Sequence, residues 1–492
     1  MASEATTAGG GAAVARTAQM FIAGDWTASL AGETFTAESP ATGETIAEVP
    51  QGTRDDARRA IAAANAAADG WSRSTAFERA AALHRVADVV ERRRAELTHT
   101  LTLDQGKPVR EARDEVEELV QYWRNAAEDG KRLEGRLPNS VTPGKKVLLF
   151  RRPRGVIGVI TPWNWPYTMP AELIAPALAC GNAVVWTPAS TTAVAAVALA
   201  ECVAEADLPP GVFNLVTGPG ASVGDEIARN PGTHGVGFIG STETGRKVAE
   251  AAAGKAAVLE LGGNGPIVVL DDADLDLAAE STVTACFLCA GQSCTAGERL
   301  LVHRDVREEF VAKLARLVAE RAVLGDPFDE QTTMGPLNND GVAQKMDEHV
   351  ADAVERGASV VTGGSRAGGF PTPLYWQPTV LDGVAPQSLV AQEETFGPVA
   401  PVVAIDSLDH AIELTNASPY GLLAAIFTRD LRKGLRFADA AKTGWVNVNE
   451  SSNYWETHLP FGGRAGTASG IGRVGGTAPM ESFSELQTVV LG

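Results

Sequence analysis

From Val156 onward, short apolar runs rich in β-branched residues alternate with Ala-rich stretches of helical period, and no other feature constrains the fold as strongly. Val156 to Ile160, Val184 to Trp186, Phe213 to Val216, Val236 to Ile239 and Val258 to Leu261 read as strands. Helices are predicted between them, at about Thr191 to Ala206, Ala221 to Asn230 and Glu243 to Ala253. Strands apolar on both faces and joined by helices build a parallel sheet covered on both sides. Nucleotide-binding domains use this architecture, but architecture alone names no function. A second alternating region starts near Pro266, with a strand at Ile267 to Leu270 and helices at Leu275 to Cys289 and Val306 to Leu324. Upstream, Arg54 to Asp69 and Thr75 to Leu101 read as amphipathic helices, with Arg92, Arg93 and Arg94 on a solvated face. Gln487 to Leu491 is a short apolar strand at the end of the chain. Such an edge must be paired or covered, which predicts a symmetric oligomer.

A chain of 492 residues predicts two to four domains. The net charge of −19 repels phosphate backbones, so nucleic acid is a poor partner. No apolar run reaches the length of a membrane span. Residues 1–18 are Ala/Gly/Thr-rich without an apolar block and read as a flexible leader rather than a signal peptide. Five cysteines, an odd number in so long a chain, form no disulfide framework, which points to the cytoplasm.

Several clusters carry candidate chemistry. Gly218 to Gly224 resembles a dinucleotide fingerprint, but its last spacing is one residue too long. Gly240-Ser241-Thr242 lies between strand and helix, where free N–H groups attract phosphate; an ordinary capped helix reads the same way. Cys294, flanked by Ser293 and Thr295, sits among small polar residues, which suits a reactive thiol as well as a buried one. Cys286 and Cys289 have C-x2-C spacing, but no second pair completes a metal site. Glu260 closes an apolar strand beside Gly262 and Gly263, and burial there would raise its pKa toward that of a general base. Asn164 between Trp163 and Trp165 offers an amide donor suited to an oxyanion.

A thiol, a carboxylate, an amide donor and a phosphate-binding turn are the parts needed for covalent aldehyde oxidation. The chain resembles the aldehyde dehydrogenase superfamily from about Met20 to Leu491. TPWNWP at 161–166, GSTETGR at 240–246, LELGG at 259–263, GQSCTAG at 291–297, EETFGPV at 393–399, PYGL at 419–422 and PFGG at 460–463 follow the family's order. The resemblance implies an α/β fold with a Rossmann-like cofactor domain (19–133 and 154–262), an α/β catalytic domain (263–480) and a β oligomerisation arm (134–153 and 481–492). A homodimer or homotetramer is implied.

By resemblance, Cys294 is the nucleophile, Asn164 and the Cys294 backbone N–H hold the oxyanion, and Glu260 activates water. The cofactor is NAD, with NADP possible, and no metal is expected. Gly240 and Ser241 match the pyrophosphate turn; Glu394 and Phe396 match the nicotinamide-ribose contact. Thr161, Pro162, Trp163, Gly220 and Leu261 are assigned to the same groove. Thr187 stands where the family usually has Lys, and Ser190 where NAD-preferring members often have Glu. These two departures pull in opposite directions, and the balance leans to NAD.

Trp165, Met169, Ser293, Thr295, Trp455 and Phe461 are expected to line the aldehyde tunnel. Their bulk predicts aromatic or medium-chain apolar aldehydes rather than small charged semialdehydes. His458, on the loop before PFGG, is a substrate handle or simply an exposed residue. That motif is followed by five residues, Arg464 to Ala468, where the family commonly has three. Two rivals remain: acyl transfer to coenzyme A, disfavoured by Glu260, and an inactive binding or structural homologue, disfavoured by the intact Cys294, Glu260 and Asn164.

Overall fold

The computed structural model describes residues 16–492. Five of the predicted strands form the core of an eight-stranded sheet. In spatial order they are Ala256–Glu260, Gly235–Ile239, Val156–Ile160, Ala183–Thr187 and Phe213–Leu215, all parallel. Every residue of the middle three strands is buried, as expected for a sheet with helices on both faces. The chain steps outward from Val156–Ile160 in one direction, then returns to its other side with Gly235–Ile239. That reversal opens a crevice at the carboxyl ends of these two strands, where open α/β sheets bind ligands.

A second, seven-stranded sheet runs from Ser359–Thr362 to Trp445–Val448, with Arg299–His303 and Pro266–Val269 at its centre. All its pairings are parallel except the antiparallel edge strand Ser359–Thr362. The tail strand Ser484–Leu491 pairs antiparallel with Lys146–Pro153 over eight residues, so its inner edge is satisfied within the chain. The outer edge is open, and Leu486, Val490 and Leu491 stay about half exposed. Arg16–Thr17, assigned from sequence to the leader, form a short strand beside Ala47–Glu48. Residues 1–15 of that leader lie outside the described residues.

The helical expectations need three corrections. Thr75 to Leu101 is two helices, Ala76–Arg92 and Arg94–Gln105, because Arg93 leaves helical geometry at φ −94° and ψ 10°. Arg93 is also not on the solvated face: it turns inward to bind Glu201 at 2.6 Å and Glu96 at 2.7 Å. The helix from Leu275 stops at Phe287, and Cys289 lies beyond it in a left-handed turn. Where the sequence carries a capping box, the start holds: Thr53 with Asp56 and Thr75 with Glu78 each close one, a device contributing about 1 kcal/mol.

Candidate active site

The crevice at the sheet reversal is a cleft of about 780 Å³. Pro162, Trp163 and Asn164 enter it from the end of Val156–Ile160, and Gly240 and Ser241 from the end of Gly235–Ile239. Glu260, Leu261, Cys294, Glu394 and Phe396 complete the walls from the sequence-predicted set. Ser241 caps the helix Thr242–Ala251, its hydroxyl accepting the Thr244 N–H, and itself lines the cleft, so the positive end of that helix starts at the cleft wall. This suits a pyrophosphate.

The two glycines of LELGG are explained by close approach. A Cβ on Gly262 would sit 2.7 Å from the Glu394 carboxylate, and one on Gly263 only 2.5 Å from the Cys294 carbonyl oxygen. Glu394 is fixed by the Gly263 N–H at 2.8 Å. Phe396 meets Trp163 edge-on, with ring centroids 5.6 Å apart. Glu298 holds this wall from behind, accepting the N–H groups of Thr395 at 2.8 Å and Phe396 at 2.9 Å. Burial pushes the Glu298 carboxyl up to about 8.

The reacting groups meet where this cleft joins a narrower tunnel of about 480 Å³, since Cys294, Glu260 and Met169 line both. Asn164 donates one amide hydrogen to the Gln292 carbonyl at 3.0 Å, two residues before Cys294. An amide has two hydrogens, so one remains for an oxyanion. Glu260 Oε1 is buried without a hydrogen-bond partner, an open acceptor beside the thiol. Burial, reinforced by the charge of Glu172, holds the Glu260 carboxyl well above the usual range. Burial and the neighbouring Glu260 likewise hold the Cys294 thiol high. Both shifts favour the uncharged forms, and the same shift makes the Glu260 carboxylate, when ionised, a stronger base beside the thiol.

Trp165, Met169, Ser293, Thr295, Trp455 and Phe461 all line the tunnel. Trp165 and Trp455 meet edge-on at 6.1 Å, and Trp455 lies 6.5 Å from Phe461. The loop carrying Trp455 is pinned to the turn carrying Cys294: Ser452 Oγ donates to the Thr295 carbonyl at 2.7 Å, and Thr295 Oγ1 bonds Asn453. His458 lies outside both cavities, exposed beside Glu456. The longer segment after PFGG is tied to the 419–421 turn, the Arg464 N–H donating to the Gly421 carbonyl and the Ala468 N–H to the Pro419 carbonyl, each at 2.8 Å. The residues after it pack beside Glu260, where Ser469 Oγ donates to the Gly262 carbonyl at 2.7 Å and Gly470–Ile471 pairs with Leu259–Glu260.

Four residues assigned to the cofactor groove do not line the cleft. Thr161 is buried, its hydroxyl accepting the Trp186 indole N–H at 2.9 Å. Thr187 is buried at the next strand end, Ser190 opens the short turn Ser190–Thr192, and Gly220 opens a wide helical turn at Gly220–Gly224. Sequence reading in turn missed Asn339 and Lys345 in the cleft, and Tyr122, Glu172 and Leu459 in the tunnel. They come from distant helices and loops, and no local motif marks them. The Tyr122 hydroxyl donates to Glu172, whose carboxyl burial pushes up to about 8. Cys286 and Cys289 point apart, toward the carbonyls of Gly297 and Asn164, and among the described residues no cluster is placed to hold a metal.

Residues 26–489 match the model of the aldehyde dehydrogenase family. The chain belongs to that family. It is 39% identical to the succinate-semialdehyde dehydrogenase [NADP(+)] GabD of Escherichia coli, over 96% of this chain and 98% of the relative. It is equally 39% identical to mouse retinaldehyde dehydrogenase 3, over 96% and 92%. The solved structure of betaine aldehyde dehydrogenase from Staphylococcus aureus with NAD+ superposes with a TM-score of 0.93 at 32% identity, covering 96% of this chain and 94% of that one. This aldehyde dehydrogenase is thus an NAD(P)-dependent oxidoreductase with the α/β fold of its family. No helix among the described residues is long and apolar enough to cross a membrane.

Proposed function

We propose that this aldehyde dehydrogenase oxidises aromatic or medium-chain apolar aldehydes to the carboxylic acids, with water as acyl acceptor. The observation that carries the substrate class is the tunnel lining. Trp165, Trp455, Phe461, Tyr122, Met169 and Leu459 surround the path, and among its described lining residues there is no Lys or Arg. A second carboxylate on the substrate would enter a dry passage beside Glu172 and Glu260 without a cation to pair it, which is costly. The name of the E. coli relative supports the opposite reading, a small anionic semialdehyde.

In this reading the ionised form of Glu260 takes the Cys294 proton, and the sulfur adds to the aldehyde carbonyl. The free Asn164 N–H and the Cys294 backbone N–H stabilise the oxyanion of the thiohemiacetal; each such donor contributes roughly 3 kcal/mol. Bound NAD(P)+ supplies the hydride acceptor. The cleft's chain groups fit it: the helix start behind Ser241 for pyrophosphate, Glu394 for a ribose, and Trp163 with Phe396 beside the ring. Glu260 passes that first proton to solvent; once the thioester has formed, its carboxylate takes a proton from water, and the hydroxide displaces the Cys294 thiolate. Glu260 is also the reason to prefer water to coenzyme A.

The exposed edge of the 146–153 and 484–491 ribbon fits a homodimer or homotetramer, and five free cysteines fit the cytoplasm. Ser190 and Thr187 leave NAD ahead with NADP tolerated. The test is initial NAD(P)H formation with benzaldehyde, hexanal and succinic semialdehyde, each with both cofactors and no added coenzyme A. The aromatic and aliphatic aldehydes should win on kcat/KM; a lead for succinic semialdehyde rejects the substrate class. A preference for NADP beyond about tenfold, or 1.4 kcal/mol, rejects the cofactor assignment.

A further inference from the structure

We infer that Glu111, a half-buried carboxylate outside the reacting centre, is a positioning residue that holds the turn aiming Cys294. The inference rests on the reading of Cys294 as nucleophile. Between the helix Leu275–Phe287 and Cys294, three consecutive residues adopt left-handed geometry: Cys289 at φ 51°, Ala290 at φ 53° and Gly291 at φ 72°. Glycine enters that region freely, and a Cβ at 291 would sit 2.2 Å from the Gly397 carbonyl oxygen. Cys289 and Ala290 carry side chains that disfavour it. Two such residues in succession persist only when the surroundings over-determine them.

The hold is visible. Glu111 Oε2 accepts the Cys289 N–H at 3.0 Å. The Gln292 amide closes the turn by donating to the Cys289 carbonyl at 2.8 Å, while its own oxygen accepts the Asn338 N–H at 2.8 Å. The Gln292 backbone carbonyl in turn orients Asn164. The turn therefore sets both the sulfur and the oxyanion donor.

Glu111 borders a buried ion pair at the start of the helix Val109–Gly130. Lys107 pairs with Glu115 at 2.5 Å with both side chains sealed from solvent, and its ammonium lies 3.7 Å from the Trp165 ring centroid. Glu115 Oε1 accepts the Tyr167 N–H at 2.9 Å, at the start of the helix that follows Asn164. One helix thus braces both catalytic loops, and within it Glu111 is the group on the strained one. It touches neither cleft nor tunnel.

The test uses the full-length enzyme with a preferred aldehyde. Glu111→Leu should lower kcat by about 30-fold or more, the scale of a misplaced reacting group, with cofactor affinity held. Iodoacetamide alkylation of Cys294 should slow in parallel. Adding Ala290→Gly, which relaxes the left-handed strain, should recover at least about fivefold, a rescue that general loss of packing would not show. Glu111→Leu within about threefold of wild type overturns the inference, as does a loss that Ala290→Gly leaves untouched. If Glu111→Leu does not fold, Glu111→Gln takes its place: it keeps a weaker acceptor, should lose about fivefold, and must show the same glycine rescue. Turnover retained by Cys294→Ala would sink the nucleophile assignment instead, so the two failures are separable.

Discussion

The cofactor cleft and the aldehyde tunnel share Cys294 and Glu260 but are built differently. The cleft is made at strand ends: Pro162, Trp163, Gly240, Ser241 and Leu261 all follow directly from parallel strands whose register fixes them. The tunnel is made of side chains from separate places, with Tyr122 on one helix, Met169 and Glu172 on another, and Trp455 and Phe461 on and after a long loop. Backbone at a sheet reversal can serve one invariant ligand. Side chains on loops can be exchanged without disturbing the sheet, which is how relatives equally similar to this chain carry the names of a succinate semialdehyde enzyme and a retinaldehyde enzyme.

That contrast can be broken by variants that act on one region alone. Cys294→Ala should abolish turnover while leaving NADH binding intact by fluorescence titration; an acylated enzyme trapped elsewhere would remove the basis of the scheme. Asn164→Ala should lower kcat by about 10²–10³-fold, as expected for one oxyanion donor, with little change in cofactor KM. Trp455→Ala should act on the tunnel only, raising the KM for hexanal by about tenfold while the KM for NAD stays put. A matched rise in both would show that the regions are not separable.

The smallest expected effect concerns stability. Burial raises the Glu172 carboxyl to about 8, so the folded state favours its protonated form. The stability held in that form is full below the ordinary carboxylate pKa and is lost as pH rises through about 8. Glu172→Gln should therefore raise Tm relative to wild type more at pH 8 than at pH 5. Equal shifts at the two pH values would show that the carboxyl is not held neutral.

Much of the site was legible because its chemistry is local. LELGG and GQSCTAG place a carboxylate and a thiol beside glycines, and the structure shows that a Cβ on Gly262 would collide with the Glu394 carboxylate and one on Gly263 with the Cys294 carbonyl oxygen. The regular alternation after Val156 likewise exposed the parallel sheet. Arg93 shows the limit. Its neighbours Arg92 and Arg94 made a solvated face the natural reading, yet its partner Glu201 lies 108 residues away. Glu172 was hidden for a similar reason: in sequence it is one polar residue in an apolar helix, and only the packing of Tyr122 against it turns it into tunnel wall.

Sequence by itself determined the α/β sheets and the strand ends and turns that carry Cys294, Glu260 and Asn164, because hydrophobic period and glycine sterics act over a few residues. Tertiary structure alone decided which distant side chains close the tunnel and which carboxylate braces the Cys289 turn. Those contacts join residues 50 apart for Tyr122 and Glu172 and 178 apart for Glu111 and Cys289, and the free energy of burial, which has no local signature, selects them.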